Sequence, residues 1–252
     1  MWEFTIILPL EKEYLATKIF NFSKKLTTKY GGLVTIYKDT DIQILIACEK
    51  LNRPLFQTNL SNFLIDVILE DYKLEYLHNN LNLKTFDKLK SEAYYNALLY
   101  FDFENDRDIL RKNLTFKNKI VIDSLFNFRL QELITKWKNL CLINSQNSGY
   151  LLYNDTFYEF LKFLIDNLEN TYDEINIYYK NSNYYIFDKN NNELEEELLD
   201  YSAVYNESQV LSSLIKLCPR KIKIHCDINN SNDIFSIISN IFEDRVEFIS
   251  SI

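Results

Sequence analysis

The spacing of hydrophobic positions changes along the chain, and each change predicts an element. Trp2 to Leu8 is a short apolar run with β-branched and aromatic residues, the mark of a strand. Glu11 to Tyr30 then sets Tyr14, Leu15, Ile19, Phe22 and Leu26 at helical spacing. Gly31-Gly32 ends that helix, because glycine adopts a positive φ without steric cost. Leu33 to Tyr37 and Ile42 to Cys48, separated by Lys38 to Asp41, predict a hairpin. The first 53 residues therefore predict a βαββ module.

From Pro54 to about Tyr153 the period is helical and no strand is evident. The predicted helices run over Leu55 to Leu77, Phe86 to Phe101, Asp108 to Leu114 and Ile120 to Leu142. Asn154-Asp155-Thr156 is a cap signal for a further helix with Phe157, Phe160, Leu161, Leu164 and Leu168 on one face. Beyond Asn170 the texture changes again. Ile175 to Lys180 and Tyr184 to Asp188 flank the turn-forming Asn181-Ser182-Asn183 and predict a second hairpin. The tail reads helix, strand, helix, strand over Glu207 to Cys218, Lys221 to Cys226, Asn232 to Phe242 and Arg245 to Ile249. Pro219 stops the first of these helices and Asn229-Asn230-Ser231 starts the second. The fold class predicted is α+β, with an N-terminal βαββ module (1–53), a helical region (54–170) and a C-terminal mixed α/β module (171–252). The three can pack as one compact unit.

Composition supports a packed protein. Of 252 residues 47% are hydrophobic, enough for a core without staples, and three glycines with three prolines leave little room for flexible linkers. Cys48, Cys141, Cys218 and Cys226 form no C-x-x-C pair and predict reduced, buried thiols. The opening residues carry Glu3 and run into Glu11-Lys12-Glu13, unlike a signal peptide. The longest apolar stretches are far short of the ~20 residues that span a bilayer. The expectation is a cytoplasmic protein without a membrane partner.

Charge is segregated beneath a net charge of −8. Arg107, Arg111, Lys112, Lys117, Lys119, Arg129, Lys136 and Lys138 stand against only Asp108, Asp123 and Glu132, and are the candidate binding residues. Between Asp155 and Glu207, thirteen acidic residues face only Lys162, Lys180 and Lys189. A basic stretch interleaved with Phe116, Phe126, Phe128 and Trp137 is suited to phosphates and stacked bases. A pI near 5.0 argues against a dominant nucleic-acid footprint. The favoured expectation is that the basic helices face solvent or dock against the molecule's own acidic half, with an acidic protein partner as a further reading. Arg129, between aromatic neighbours, would need a carboxylate or anionic ligand if buried, with Glu159 as candidate.

Few residues point to chemistry. Cys218, His225 and Cys226 are zinc-ligand types, but adjacent residues on a strand face opposite ways, so core thiols and a partly buried histidine are expected. Asp188 to Glu193 resembles a calcium loop only superficially, since its sixth position is Glu193 instead of glycine and its twelfth is Leu199. Glu193 to Glu197 reads as a solvated helix start. The glycines, Gly31, Gly32 and Gly149, cannot assemble a P-loop, a dinucleotide fingerprint or a nucleophile elbow. His78 and His225 are the available imidazole bases, and His78 lies where it complements a helix C-terminus. No cofactor is called for.

Several segments in order carry a family resemblance. They are Phe126-Asn127-Phe128-Arg129-Leu130, Tyr158 to Leu164, Leu211 to His225 and Ile241 to Val246. From about Lys84 onward the chain resembles the YtxC-like sporulation family. The resemblance implies a spore-forming bacterium and supplies no catalytic residue. The reading that follows is a cytosolic sporulation-associated protein working through contacts with an unknown protein partner, leaning away from an enzyme. The alternatives are a nucleic-acid-binding protein using 107–138 and an enzyme with an unrecognised site.

Overall fold

A computed structural model describes residues 1–83, 86–147, 154–181, 183–194, 205–226 and 233–250; side chains are described for these except 146, 147 and 154. The fold is α+β, with two separate four-stranded mixed sheets. It divides into two compact units, one of residues 1–80 and 103–142, the other of 81–102 and 143–252.

In the first unit β1 (Trp2–Leu8), β2 (Gly32–Lys38) and β3 (Ile42–Cys48) join β4 (Lys119–Val121) in the order β2-β3-β1-β4. Alternation decides the faces, since side chains of a strand point up and down in turn. Trp2, Phe4, Ile6 and Leu8 on β1 and Ile42, Ile44, Ile46 and Cys48 on β3 are buried. α1 (Glu13–Tyr30) packs on β2 and β3 and stacks Phe22 on Phe63 of α2 (Arg53–Ile68), while Phe56 of α2 meets Trp2 edge-on. Gly31, at φ 76°, ends α1 as its sequence predicts. Gly32 is needed for a different reason: a Cβ there would come within 2.2 Å of the Ala47 carbonyl oxygen across the hairpin.

The predicted helix over Leu55 to Leu77 is α2 continuing through one π-turn, Leu69–Lys73, into α3 (Leu74–Asn80). After α4 (Lys88–Tyr100), in the second unit, α5 (Phe103–Asn113) returns to the first. Contrary to the sequence expectation, the stretch Ile120 to Leu142 is not one helix, and the middle region is not free of strands. β4 pairs in parallel with β1, Ile120 beside Ile6, and α6 (Ile122–Phe128) follows directly. The chain then breaks at Arg129-Leu130 before α7 (Gln131–Asn147), the amides of Arg129 and Leu130 both donating to the Leu125 carbonyl. A three-residue strand is too short to show alternation. The helical spacing survives the break because Leu125, Leu130, Leu133 and Trp137 are all buried.

In the second unit α8 (Asn154–Asp166) precedes β5 (Glu174–Lys180) and β6 (Asn183–Asp188), the predicted hairpin, with Asn181 at φ 53° in its turn. α9 (Glu207–Leu217), β7 (Lys221–Cys226), α10 (Asp233–Phe242) and β8 (Val246–Ser250) complete the sheet β6-β5-β7-β8, where β7 runs parallel to both neighbours. Ile175, Ile177, Tyr184, Ile186, Ile222 and Ile224 are buried, as are Val210, Leu211 and Leu214 of α9 and Ile234, Ile238 and Ile241 of α10. Ser182, the stretch 195–200 with the acids after Glu193, and the start signal at 229–231 lie outside the described residues. Glu193 and Leu194 are not helical.

Candidate functional site

Three of the eight candidate cations are ion-paired within the first unit. Arg107 Nε lies 2.9 Å from Asp66 Oδ1 and its Nη1 2.8 Å from Glu104. Burial opposes the Arg107 charge, yet the Glu104 hydrogen bond and the Asp66 charge hold its pKa above the ordinary value. Arg111 pairs with Asp108 at 2.5 Å, and Lys136 with Asp106 at 2.6 Å. These carboxylates come from residues 66–108 of the same unit rather than from the acidic stretch after Asp155.

Lys112, Lys117, Lys119, Arg129 and Lys138 are exposed, and among the described residues none has an ion-pair partner. Arg129 is therefore not the buried cation considered from the sequence; its Nη1 donates to Thr115 Oγ1 at 3.3 Å. That bond ties the loop bearing Lys117 to the end of α6.

The aromatic residues separate sharply. Phe116 packs on Phe4 with ring centres 4.8 Å apart, Phe126 stacks on Tyr72 at 4.2 Å, and Trp137 is buried beside Phe126. Three of the four rings that were candidates for base stacking are thus core residues. Phe128 is 81% exposed. Two residues apart on a helix, Phe126 and Phe128 point to opposite sides. The resulting surface is one solvated aromatic ring beside Arg129, near a loop flanked by further uncompensated lysines.

A second cluster escaped the sequence reading. Lys73, at the end of the π-turn, and Asp106 on α5 are each 1% exposed, with Lys73 Nζ 2.8 Å from Asp106 Oδ2. Trp137 Nε1 donates to the same oxygen at 3.1 Å and Lys136 to Oδ1. The extra residue of a π-turn rotates the side chains that follow it. Here Asp71 binds Lys12 at 2.7 Å, Tyr72 donates to Asp123 at 2.9 Å and Lys73 reaches Asp106, so three consecutive residues tie three different segments. Burial, with the adjoining Asp123, pushes the Tyr72 hydroxyl pKa up. The available signal was Leu69-Lys73-Leu77: an ionisable residue on an apolar stripe at i, i+4 spacing.

In the second unit the soft ligands do not converge. His225 stacks on Tyr178, ring centres 4.1 Å apart, with Nε2 3.0 Å from Asn176 Oδ1. Cys226 is buried on the opposite face of β7. Cys218 ends α9 in the left-handed region, its thiol donating to the Ile165 carbonyl and accepting from Arg245. Burial raises the Cys218 pKa against the opposing pull of Arg245. Asp188 spends its carboxylate inside its own turn, accepting from the amides of Asn190 and Asn192 at 2.8 Å. Among the described residues no group of three or more His, Cys, Asp or Glu side chains could hold a metal ion, and no helix is long and apolar enough to cross a membrane.

Comparison with known proteins adds one identification. No curated protein and no solved structure matches the chain. The model of the YtxC-like family matches residues 53–247, reaching further toward the N-terminus than the resemblance from Lys84 and spanning both units. By that match the chain belongs to the YtxC-like family.

Proposed function

We propose that this chain is a cytoplasmic, sporulation-associated protein that works by docking a protein partner, with the surface around Phe128 and Arg129 as its docking face. The supporting observation is the exposed Phe128 ring next to Arg129 and near Lys112, Lys117 and Lys119, cations that no carboxylate of the described residues neutralises. Burying such a ring against a partner contributes ~1.5–3 kcal/mol. Aromatic and arginine side chains are the residue types that dominate interface energetics. Uncompensated cations around an apolar anchor favour an acidic surface with a hydrophobic pocket, and steer its approach. Sporulation enters through family membership, and partner docking through this surface.

The test is a pull-down with tagged protein from sporulating cells, with and without nuclease, comparing the native chain with Phe128→Ala and Arg129→Glu. Protein partners that survive nuclease and are lost from both variants support the reading. Retention of the same partners by both variants overturns it. Material lost on nuclease treatment would favour nucleic acid, and purified protein would then bind single strands with an affinity falling steeply as salt rises.

A further inference from the structure

We infer that a second copy of this chain pairs with the free edge of the first sheet, β2 against β2, to form a two-fold dimer. β2 is the terminal strand of the order β2-β3-β1-β4; its seven residues are in register with β3, and among the described residues no strand pairs with its other edge. An edge strand offers a row of unpaired backbone donors and acceptors, and soluble proteins usually guard it with proline, a bulge or lysines along its length. β2 carries no such guard between Gly32 and Tyr37. Its lysine, Lys38, sits at the end and is drawn onto Glu13 of α1.

The sequence of β2 is complementary to itself. An antiparallel pairing centred on Thr35 sets Leu33 opposite the partner's Tyr37, Val34 opposite the partner's Ile36, and Lys38 opposite the partner's Gly32. No like charges meet, and every other cross-strand pair except the central threonines is apolar. Leu33 and Tyr37 are 68% and 58% exposed on the sheet's outer face, in line with Leu45 of β3 at 44%. Joining two copies continues this apolar surface across the two-fold axis and gives each Leu33 and Tyr37 a cross-strand neighbour.

The helices agree with this arrangement. The Lys38–Glu13 pair lays the start of α1 over the end of β2, while Gly31 links the end of α1 to the start of β2. Antiparallel strands therefore bring the Glu13 end of one α1 beside the Lys29 end of the other. Opposite charges and opposite helix ends then meet.

The pairing is independent of the Phe128 surface, and the test keeps the two apart. Light scattering on the purified full-length chain should give twice 30.2 kDa. Leu33→Lys/Tyr37→Lys should be monomeric with an unchanged circular dichroism spectrum, because both side chains are solvent-exposed. Leu33→Glu/Tyr37→Glu should likewise be monomeric. Mixing the two should restore the dimer as a heterodimer, since each introduced lysine then opposes a glutamate. Phe128→Ala should leave the native dimer intact. A native chain that stays at 30.2 kDa, variants that remain dimeric, or a mixture that fails to pair would each overturn the inference.

Discussion

Asp106 ties three side chains together in the interior of the first unit. It lies almost wholly out of water and accepts from Lys73, Lys136 and Trp137. Removing one member of a buried ion pair costs ~3–5 kcal/mol, because the remaining charge keeps its desolvation penalty without its partner. Asp106→Asn should therefore lower stability to urea by roughly that amount, whereas Lys73→Met/Asp106→Leu should lose less, the apolar pair having no charge to desolvate. Equal losses in the two variants would refute this account. By contrast, Phe128→Ala should change stability by no more than about 0.5 kcal/mol, since its ring is already in water. Little of this contrast was visible beforehand. Lys73 carried only the faint signal of its place on an apolar stripe, and Arg129, weighed as a cation needing a partner if buried, is exposed.

At the scale of elements, caps and glycines were legible and interruptions were not. Gly31-Gly32 stopped α1 as expected, Pro219 follows the end of α9, and the β5–β6 hairpin lies within a residue of its predicted bounds. Such signals are local, arising from the φ a residue can adopt or the hydrogen bond it offers its own backbone. α9 begins with a reciprocal cap in which the Asn206 side chain accepts from the Gln209 amide and the Gln209 side chain accepts from the Asn206 amide. Asn206→Ala should cost about 1 kcal/mol in a denaturation experiment; no measurable change would mean that packing alone sets the start of α9. The break between α6 and α7 and the strand β4 depend instead on a partner far away in sequence, since Lys119–Val121 extends only because β1 offers it an edge.

Across the molecule, part of the charge segregation evident in the sequence is offset by ion pairs within each unit. Arg107, Arg111 and Lys136 pair with near neighbours, and in the second unit Lys223 pairs with Glu174, Lys221 with Glu247 and Lys189 with Asp173. The two histidines govern a pH window. Burial lowers the pKa of His78, and burial with Lys223 lowers that of His225, below the ordinary 6.5. The unfolded chain then takes up protons first as pH falls, so this stability is present above 6.5 and is lost as pH drops through the folded values. Urea midpoints should decline as pH falls below about 6.5, and His78→Gln/His225→Gln should flatten that decline; an unchanged slope in the double variant would assign it to other groups. The amino-acid sequence by itself determined the α+β class, most helices and both hairpins, because period and capping are properties of neighbours along the chain. Only the tertiary structure decided that Phe126 is core while Phe128 is surface, that Lys73 is buried, and that the strands form two separate sheets. Each of those outcomes depends on which distant segment arrives to cover or pair with the residue, and local spacing carries no record of that.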